Sequence, residues 1–210
     1  MGAQTNYAEY TRKMLTLVER GVDFEVDARF IDVLVPRRAR ILDIGCGIGN
    51  AVAALRSRGH QAFGIDPTPE LFLAATALHD ASWFRQINAG ALFDPKLSEA
   101  GLPERFDVVL ASGNVPEFLT ETELQIVFDF ARQRLTNFGS LVIGTSSAAP
   151  HGTAYLDELA QSHGLHVQQR FSDWHLNPFT PESPWSVSVY TVKNLRGPFE
   201  APDGIFVLPA

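Results

Sequence analysis

The sequence predicts an α/β fold in which helices cover both faces of a doubly wound, mostly parallel sheet. Short apolar segments alternate with longer segments of helical periodicity over most of the 210 residues, and this alternation is typical of parallel sheets. In the last third, two apolar segments are joined by a Pro-rich stretch, residues 177–184. We therefore expect the sheet to end in an antiparallel pair.

The first strand–helix–strand unit is predicted over residues 40–65. Residues 40–44 and 61–65 are short and rich in apolar side chains, and glycine or proline follows each of them. Between them, residues 50–58 carry Ala, Val and Leu at helical spacing and stop before Gly59, a residue type that commonly ends a helix.

The remaining elements follow from the same patterns: strands at 106–110, 140–143, 166–171 and 186–192, and helices at 121–135 and 155–163. Upstream, residues 7–34 have apolar side chains at helical intervals broken at Gly21 and Asp23. This predicts two helices packed across the ligand-bearing edge of the sheet. We divide the single domain into an N-terminal helical lid (1–36), a core (37–193) and a tail (194–210).

Composition limits the class of protein. Lys and Arg number 17 against 24 Asp and Glu, so the net charge is −7, and 45% of the residues are hydrophobic, enough for one sizeable core. No basic run exceeds residues 36–40, which disfavours a nucleic-acid partner. The single cysteine and the lack of 18 consecutive apolar residues predict a cytoplasmic protein without disulfides or a membrane partner.

The most informative segment is residues 41–50, which read ILDIGCGIGN. Three glycines, beginning with Gly45, follow the first predicted strand, where a missing Cβ lets the backbone approach a ligand. A dinucleotide fingerprint needs glycine at the sixth position, where this sequence has Asn50. The carboxylate of Asp43 would be unfavourable beside a pyrophosphate and instead suits a cation such as an ammonium group.

A second acid, Asp66, ends the second predicted strand, 21 positions after Gly45. A carboxylate there can accept hydrogen bonds from both hydroxyls of an adenosine ribose. Because Pro67 follows it, Asp66 is equally suited to cap the next helix. A ligand with an ammonium group, an adenosine and no phosphate is S-adenosylmethionine.

On these residues the sequence resembles the class I S-adenosylmethionine-dependent methyltransferases. The resemblance lies in DIGCGIG at 43–49, GIDP at 64–67 and FDVVL at 106–110, and it extends over residues 7–193. Segments EVDARF at 25–30, GNV at 113–115 and DW at 173–174 are similar to a group of small bacterial methyltransferases. The resemblance implies a Rossmann-like, seven-stranded sheet with an antiparallel last strand, S-adenosylmethionine as cofactor, and methyl transfer to a small-molecule acceptor.

The resemblance also implies which residues bind the cofactor. The methionine and ribose side would be lined by Asp43, Gly45, Cys46 and Gly47, the ribose held by Asp66, the adenine packed near Pro67 or Ile65, and the transferred methyl flanked by Ser112, Gly113 and Asn114. The family usually has an acidic residue after the third strand to hold the adenine amino group. This chain has Asn88 and Ala89 there, and Asn88 can accept the same hydrogen bond without the charge.

Four further residues are candidates outside these motifs. Arg29 is a candidate partner for the methionine carboxylate, since a guanidinium matches a carboxylate bidentately, or else a surface ion-pair residue. Tyr10 and Trp174 are candidates for contact with the substrate, with core or lid packing as the alternative for Trp174. His151 follows the fifth predicted strand and is a candidate general base. No metal site is expected.

Methyl transfer from a sulfonium is an in-line displacement with a neutral leaving group, so alignment of donor and acceptor can supply most of the acceleration. Two other functions stay open at this point. One is a non-catalytic S-adenosylmethionine-binding or regulatory module with a closed acceptor pocket, and the other is a nucleotide-dependent oxidoreductase. Methylation of a macromolecule would require a basic surface that neither the charge nor the motifs indicate.

Overall fold

The computed structural model describes residues 6–94 and 101–193, which form a seven-stranded sheet between two layers of helices. The strands are β1 (Arg40–Ile44), β2 (Gln61–Ile65), β3 (Phe84–Arg85), β4 (Phe106–Ala111), β5 (Leu135–Ser146), β6 (His166–Phe171) and β7 (Trp185–Thr191). The described helices are α1 (Tyr7–Glu19), α2 (Val26–Leu34), α3 (Asn50–Ser57), α4 (Pro69–Leu78), α5 (Glu121–Arg134) and α6 (Thr153–Ser162). No helix in the described ranges is long and apolar enough to cross a bilayer. The predicted tail at 194–210 lies outside the described residues.

The strands lie in the order β3-β2-β1-β4-β5-β7-β6. All neighbours from β3 to β5 are parallel, whereas β7 runs antiparallel to both β5 and β6. The predicted fold class, with its antiparallel last strand, is confirmed. Because the chain proceeds from β1 to β3 in one direction and resumes with β4 on the other side of β1, the carboxyl ends of β1 and β4 flank a crevice. Open α/β sheets bind their ligands at such a crevice.

The fifth strand is much longer than the predicted 140–143. It has 12 residues, and its pairing with β4 shifts from Phe106 opposite Leu135 to Val108 opposite Ser140. The polar residues of this irregular segment hide the strand from a search for apolar runs. A Cβ on Gly139 would lie 3.0 Å from the Phe106 carbonyl oxygen, so a larger residue there would require a small shift of the neighbouring backbone.

Apolar side chains fill both faces of the sheet. One face packs on α2 and α3 and the other on α5 and α6, through fully buried residues that include Ile31, Val52, Leu55, Phe128, Phe130 and Leu156. Consecutive residues of the central strand, Ile41 and Leu42, are both 0% exposed, as expected for a parallel strand covered on both sides. The carboxyl edge of the sheet, which these layers leave open, is therefore the place for a ligand.

His60 connects β2 to α2 at the opposite, amino edge of the sheet. Its side chain is 0% exposed, its Nε2 lies 2.9 Å from Asp32 Oδ1, and its Nδ1 accepts a 3.2 Å hydrogen bond from the backbone N–H of Ala39. Because Nδ1 accepts a hydrogen bond, Nε2 must carry the proton, and it donates a hydrogen bond to Asp32. The His60 ring therefore provides hydrogen-bond partners for both the Ala39 N–H and the Asp32 carboxylate.

We expect His60→Ala to lower the free energy of unfolding by about 3 kcal/mol. The change leaves the buried Ala39 N–H without a partner and creates a cavity. Urea denaturation measures the loss, and His166→Ala, at an exposed position that begins β6, serves as the control with little change. A loss for His60→Ala below about 0.5 kcal/mol would contradict the assignment.

Candidate active site

A cavity opens at the carboxyl edge of the sheet, between the ends of β1, β2 and β4 and the helix α1. Many of the residues predicted for the site line it: Tyr10, Gly45, Gly47, Asp66, Pro67, Asn88, Ala89 and Gly113. Within residues 6–94 and 101–193, no lysine, arginine or histidine lines this cavity. Among the described residues, Asp66 is the one charged side chain of the wall, and the others are apolar or neutral.

The three glycines of the loop after β1 serve different purposes, although all have positive φ angles. A Cβ on Gly45 would lie 2.8 Å from a methyl group of Val115, and one on Gly49 would lie 2.6 Å from the Phe84 ring. Those two glycines make room for side chains of the protein, whereas the sequence predicted room for a ligand. At Gly47 no atom lies within 4 Å of the added Cβ, so Gly47 is the glycine that leaves open space for a ligand.

Asp66 ties the end of β2 to the glycine loop. Its Oδ2 accepts a 3.0 Å hydrogen bond from the backbone N–H of Gly47, and its Oδ1 accepts one of 2.9 Å from that of Thr68. Burial raises the pKa of Asp66, and these hydrogen bonds oppose the rise. Helix α4 has Thr68 at its N-cap, so Asp66 is not the cap residue. Each carboxylate oxygen keeps a lone pair for a hydroxyl group in the cavity.

Asp43 lies deeper, in the middle of the sheet, paired in register with Gly64 of β2 and Leu110 of β4. It is 1% exposed, and its Oδ1 has no hydrogen-bond partner within the described part of the chain. Burial raises its pKa well above the usual range, and the negative charges of Asp27 and Asp66 raise it further. A buried acceptor without a partner is rare in native proteins, and it suits a site that receives a cation.

Sequence reasoning missed Asp27. Its carboxylate lies at the start of α2, where Oδ1 accepts a 2.7 Å hydrogen bond from the Ala28 N–H. Burial raises the pKa of Asp27. Asp27 was visible in the EVDARF segment, but nothing in the pattern distinguished it from a solvent-exposed acid.

Arg29, which was predicted to hold the methionine carboxylate, lies outside the cavity wall. Its side chain is 44% exposed, and its guanidinium binds both carboxylate oxygens of Asp23 at 2.6 and 3.0 Å. This ion pair lowers the pKa of Asp23 to about 2. Arg29 is two residues after Asp27, about 200° around a helix, so the two side chains face opposite directions. The structure therefore places Arg29 in the alternative role, a surface ion pair.

Cys46 and Asn114 turn their side chains into the protein. A Cβ on Gly64 would lie 2.6 Å from the Cys46 sulfur, so the thiol faces β2, and burial raises its pKa. Asn114 Oδ1 accepts hydrogen bonds from the Thr145 hydroxyl at 2.8 Å and the Ser146 N–H at 3.0 Å. Neither side chain lines the cavity, and both instead fix the loops that do.

His151 and Trp174 also lie outside the cavity wall. His151 Nδ1 is 2.8 Å from the Pro116 carbonyl oxygen, and its backbone N–H donates to Glu117 at 3.0 Å, so it anchors the turn that follows β4. The Trp174 ring packs edge-on against Phe30, with 5.4 Å between the ring centroids. In these positions His151, the candidate base, holds the turn after β4, and Trp174, a candidate substrate residue, packs against α2.

Other predicted residues line the cavity beside apolar side chains, namely Tyr10, Pro67, Asn88, Ala89 and Gly113. Asp43 and Ser112, which were also predicted for the site, do not line it. Tyr10 reaches it from α1; burial raises the pKa of its hydroxyl, and the charge of Asp66 raises it further. Asn88 Oδ1 accepts a 2.6 Å hydrogen bond from the Gly90 N–H, which leaves one lone pair for a ligand. The apolar wall is formed by Ile44, Ile65, Leu71, Ile87, Val115, Phe118 and Leu119.

Comparison with known proteins identifies the family. A TehB-like SAM-dependent methyltransferase from Corynebacterium glutamicum is 30% identical, with a TM-score of 0.76 over 89% of this chain and 98% of that chain. The chain belongs to the S-adenosylmethionine-dependent methyltransferases. A family model described as a methyltransferase domain matches residues 42–141 of this methyltransferase. No curated protein matches this chain.

Two more distant structures share the methyltransferase fold. A SAM-dependent methyltransferase from Bacteroides fragilis, in complex with S-adenosyl-L-homocysteine, is 18% identical, with a TM-score of 0.56 over 78% of this chain and 76% of that chain. The sugar N-methyltransferase KedS8 from Streptoalloteichus sp. is 19% identical, with a TM-score of 0.59 over 84% of this chain and 92% of that chain. The cofactor of the methyltransferase is S-adenosylmethionine, and two carboxylates fit it: the unpartnered oxygen of Asp43, buried in β1, suits its ammonium group, and Asp66, in the cavity wall, suits its ribose.

Proposed function

We propose that this methyltransferase transfers the methyl group of S-adenosylmethionine to a small-molecule acceptor that binds under α1. The observation that carries this proposal is the cavity wall formed by Tyr7 and Tyr10 of α1 and by Phe118 and Leu119 after β4. In the part of the chain that the structure describes, this wall has no basic side chain. It is suited to an apolar or planar acceptor and not to the phosphates of a nucleic acid.

The cofactor occupies the same cavity in this proposal. Its adenine packs between Pro67 and Ile87, its ribose hydroxyls donate to Asp66, and its ammonium group binds Asp43. The apolar wall of the cavity supports the first placement, and the free lone pairs of Asp66 and the unpartnered Oδ1 of Asp43 support the other two. Gly113, at the end of β4, borders the space where donor and acceptor meet.

The residues of the chain contribute alignment and exclusion of water. S-adenosylmethionine supplies an electrophilic methyl on a sulfonium; the bond from the acceptor to the methyl forms as the sulfur–methyl bond breaks. The aromatic side chains of α1 and the turn after β4 hold the acceptor in line with that bond, and the buried setting keeps water from competing. His151 is the candidate for taking the acceptor proton, through its Nε2, since its Nδ1 is held by the Pro116 carbonyl oxygen.

The direct test is formation of S-adenosylhomocysteine by the purified protein. We expect turnover with the low-molecular-mass fraction of a cell extract, and none above background with its RNA or protein fraction. KedS8, which shares the fold, acts on a sugar, so amino sugars belong in the first defined panel. Turnover confined to the RNA or protein fraction would refute a small-molecule acceptor.

A further inference from the structure

The loop that follows β4 stays attached to β5 through one residue, Asn114. The last paired residues of the two strands are Ala111 and Ile143. Beyond that pair, the backbone N–H of Asn114 donates a 3.0 Å hydrogen bond to the Gly144 carbonyl oxygen, and its side chain binds the next two residues of β5. Asn114 therefore holds the loop on β5 after the strand pairing has ended.

The hydrogen bonds of the Asn114 side chain leave its direction fixed. Its Oδ1 accepts one bond of 2.8 Å from the Thr145 hydroxyl group and another of 3.0 Å from the Ser146 N–H. Thr145 is 1% exposed, so water does not compete for its hydroxyl group. An amide oxygen has two lone pairs, and these two bonds use both.

The backbone of Asn114 is in the left-handed region, with φ 61° and ψ 25°. This conformation is unfavourable for most residues other than glycine, and asparagine is among those that tolerate it. It persists only where the surrounding structure maintains it, and here the bonds to β5 do so. The conformation and the bonds together determine where the residues on either side of Asn114 lie.

Both neighbours of Asn114 line the cavity. Gly113 borders the space where the proposed function brings donor and acceptor together. Val115 is 7% exposed, and a Cβ on Gly45 would lie 2.8 Å from one of its methyl groups, so Val115 rests against the glycine loop after β1. A displacement of Asn114 would therefore move two parts of the cavity wall at once.

We propose that Asn114 is a positioning residue for methyl transfer: its bonds to β5 hold Gly113 and Val115 where the reactive end of S-adenosylmethionine requires them. The inference rests on the cofactor placement of the proposed function. Asn114 itself does not line the cavity and acts through its two neighbours. Donor and acceptor react in line, and a misplacement of about 1 Å can lower a rate about 100-fold.

Three variants separate the side-chain bonds of Asn114 from its backbone conformation. Asn114→Gly keeps the left-handed backbone accessible but removes the side-chain oxygen. Asn114→Asp keeps an acceptor oxygen and a residue type that tolerates this backbone. Thr145→Val leaves Asn114 in place and removes one of the two groups that donate to it.

Two measurements on the free and cofactor-bound protein need no acceptor: calorimetric affinity for S-adenosylmethionine, and the NMR signal of its isotopically labelled methyl carbon. In the wild type we expect one methyl signal displaced from that of the free cofactor. Asn114→Gly should lower the affinity about tenfold and broaden the signal or move it toward the free position, and Thr145→Val should lower the affinity about threefold. Asn114→Asp should retain most of both properties. The variant with Asn114→Gly and Thr145→Val together should bind no more weakly than Asn114→Gly alone, because both changes remove the same bond.

His60→Ala is the matched control, since it should lower stability from the opposite edge of the sheet and leave the affinity and the methyl signal unchanged. A wild-type affinity and methyl signal in Asn114→Gly would overturn the proposal. If that variant does not fold, Thr145→Val decides in its place, and wild-type behaviour there would have the same consequence. A wild type that binds no S-adenosylmethionine would instead refute the cofactor placement of the proposed function, so the two failures are distinguishable.

Discussion

Asp43→Asn is expected to weaken S-adenosylmethionine binding by about 2 kcal/mol, roughly 30-fold, and at the same time to raise the melting temperature of the free protein at pH 8. The substitution removes the charge that the ammonium group needs. It also removes a buried charge that has no partner for Oδ1 among the described residues and that lies near Asp27 and Asp66. Loss of binding with gain of stability is typical of a site whose strain serves function.

The pH dependence follows from the same carboxyl group. Burial, with the charges of Asp27 and Asp66, raises the pKa of Asp43 in the folded protein. A carboxyl group with a raised pKa adds stability below its ordinary pKa, and this stability is lost as the pH rises through the raised value. The wild type should therefore lose stability as the pH rises from the ordinary pKa of an aspartate to the raised pKa of Asp43, and Asp43→Asn should lose less stability over the same pH range. Since the ammonium favours the ionised form, cofactor affinity of the wild type should rise over the same range.

Thermal unfolding and calorimetry between pH 5 and 8.5 measure both effects. Glu70→Gln, at an exposed position in the first turn of α4, is the control and should change neither stability nor affinity appreciably. Proton release on cofactor binding, measured in buffers of different ionisation enthalpy, gives an independent reading. An Asp43→Asn variant that binds within threefold of the wild type, or that is less stable at pH 8, would contradict the assigned role.

Gly144→Ala is expected to reduce the free energy of unfolding by about 3 kcal/mol. The added Cβ would lie 2.5 Å from the Ser112 carbonyl oxygen and 2.5 Å from the Trp174 ring. The Ser112 carbonyl is backbone at the end of β4 and cannot move without shifting the loop that contains Gly113. We therefore expect cofactor affinity to fall as well.

Gly113→Ala provides the matched comparison for stability, because no atom lies within 4 Å of its added Cβ. Urea denaturation of the two variants should separate them clearly, with Gly113→Ala near the wild type. If Gly144→Ala unfolded at the same urea concentration as the wild type, the close approach of β5, Ser112 and Trp174 would not exist in solution.

The features that the sequence predicted correctly are those with a local cause. The apolar runs that form β1 and β2 are examples, and so are Asp43 near the end of β1 and Asp66 directly after β2. Each of these acids lies within a few residues of a turn that fixes where it points. Arg29 and Asp27 show the limit of this reasoning. Both are polar residues on one short helix, and their roles depend on the rotation of that helix about its axis, which is set by the packing of Phe30 and Ile31 against the core.

The apolar cavity wall could not be predicted for a different reason. Ile87, Phe118 and Leu119 are of the residue types that fill a core, and only the gap between α1 and the turn after β4 makes them part of a binding site. Likewise, the predicted topology put His151 after the fifth strand, near the carboxyl edge of the sheet. Its hydrogen bond to the Pro116 carbonyl, however, depends on how two loops meet.

The antiparallel course of β7 separates the two ends of the described chain. Tyr7 borders the cavity, whereas β7 brings Thr191 beside Ser140, near the start of β5, and Lys193 lies over Phe138 on the same side. A fluorophore or surface tether attached near Tyr7 would obstruct the entrance, and one attached beside Lys193 would leave it clear. Optical biosensing of acceptor libraries therefore calls for immobilisation through the Lys193 side of the molecule.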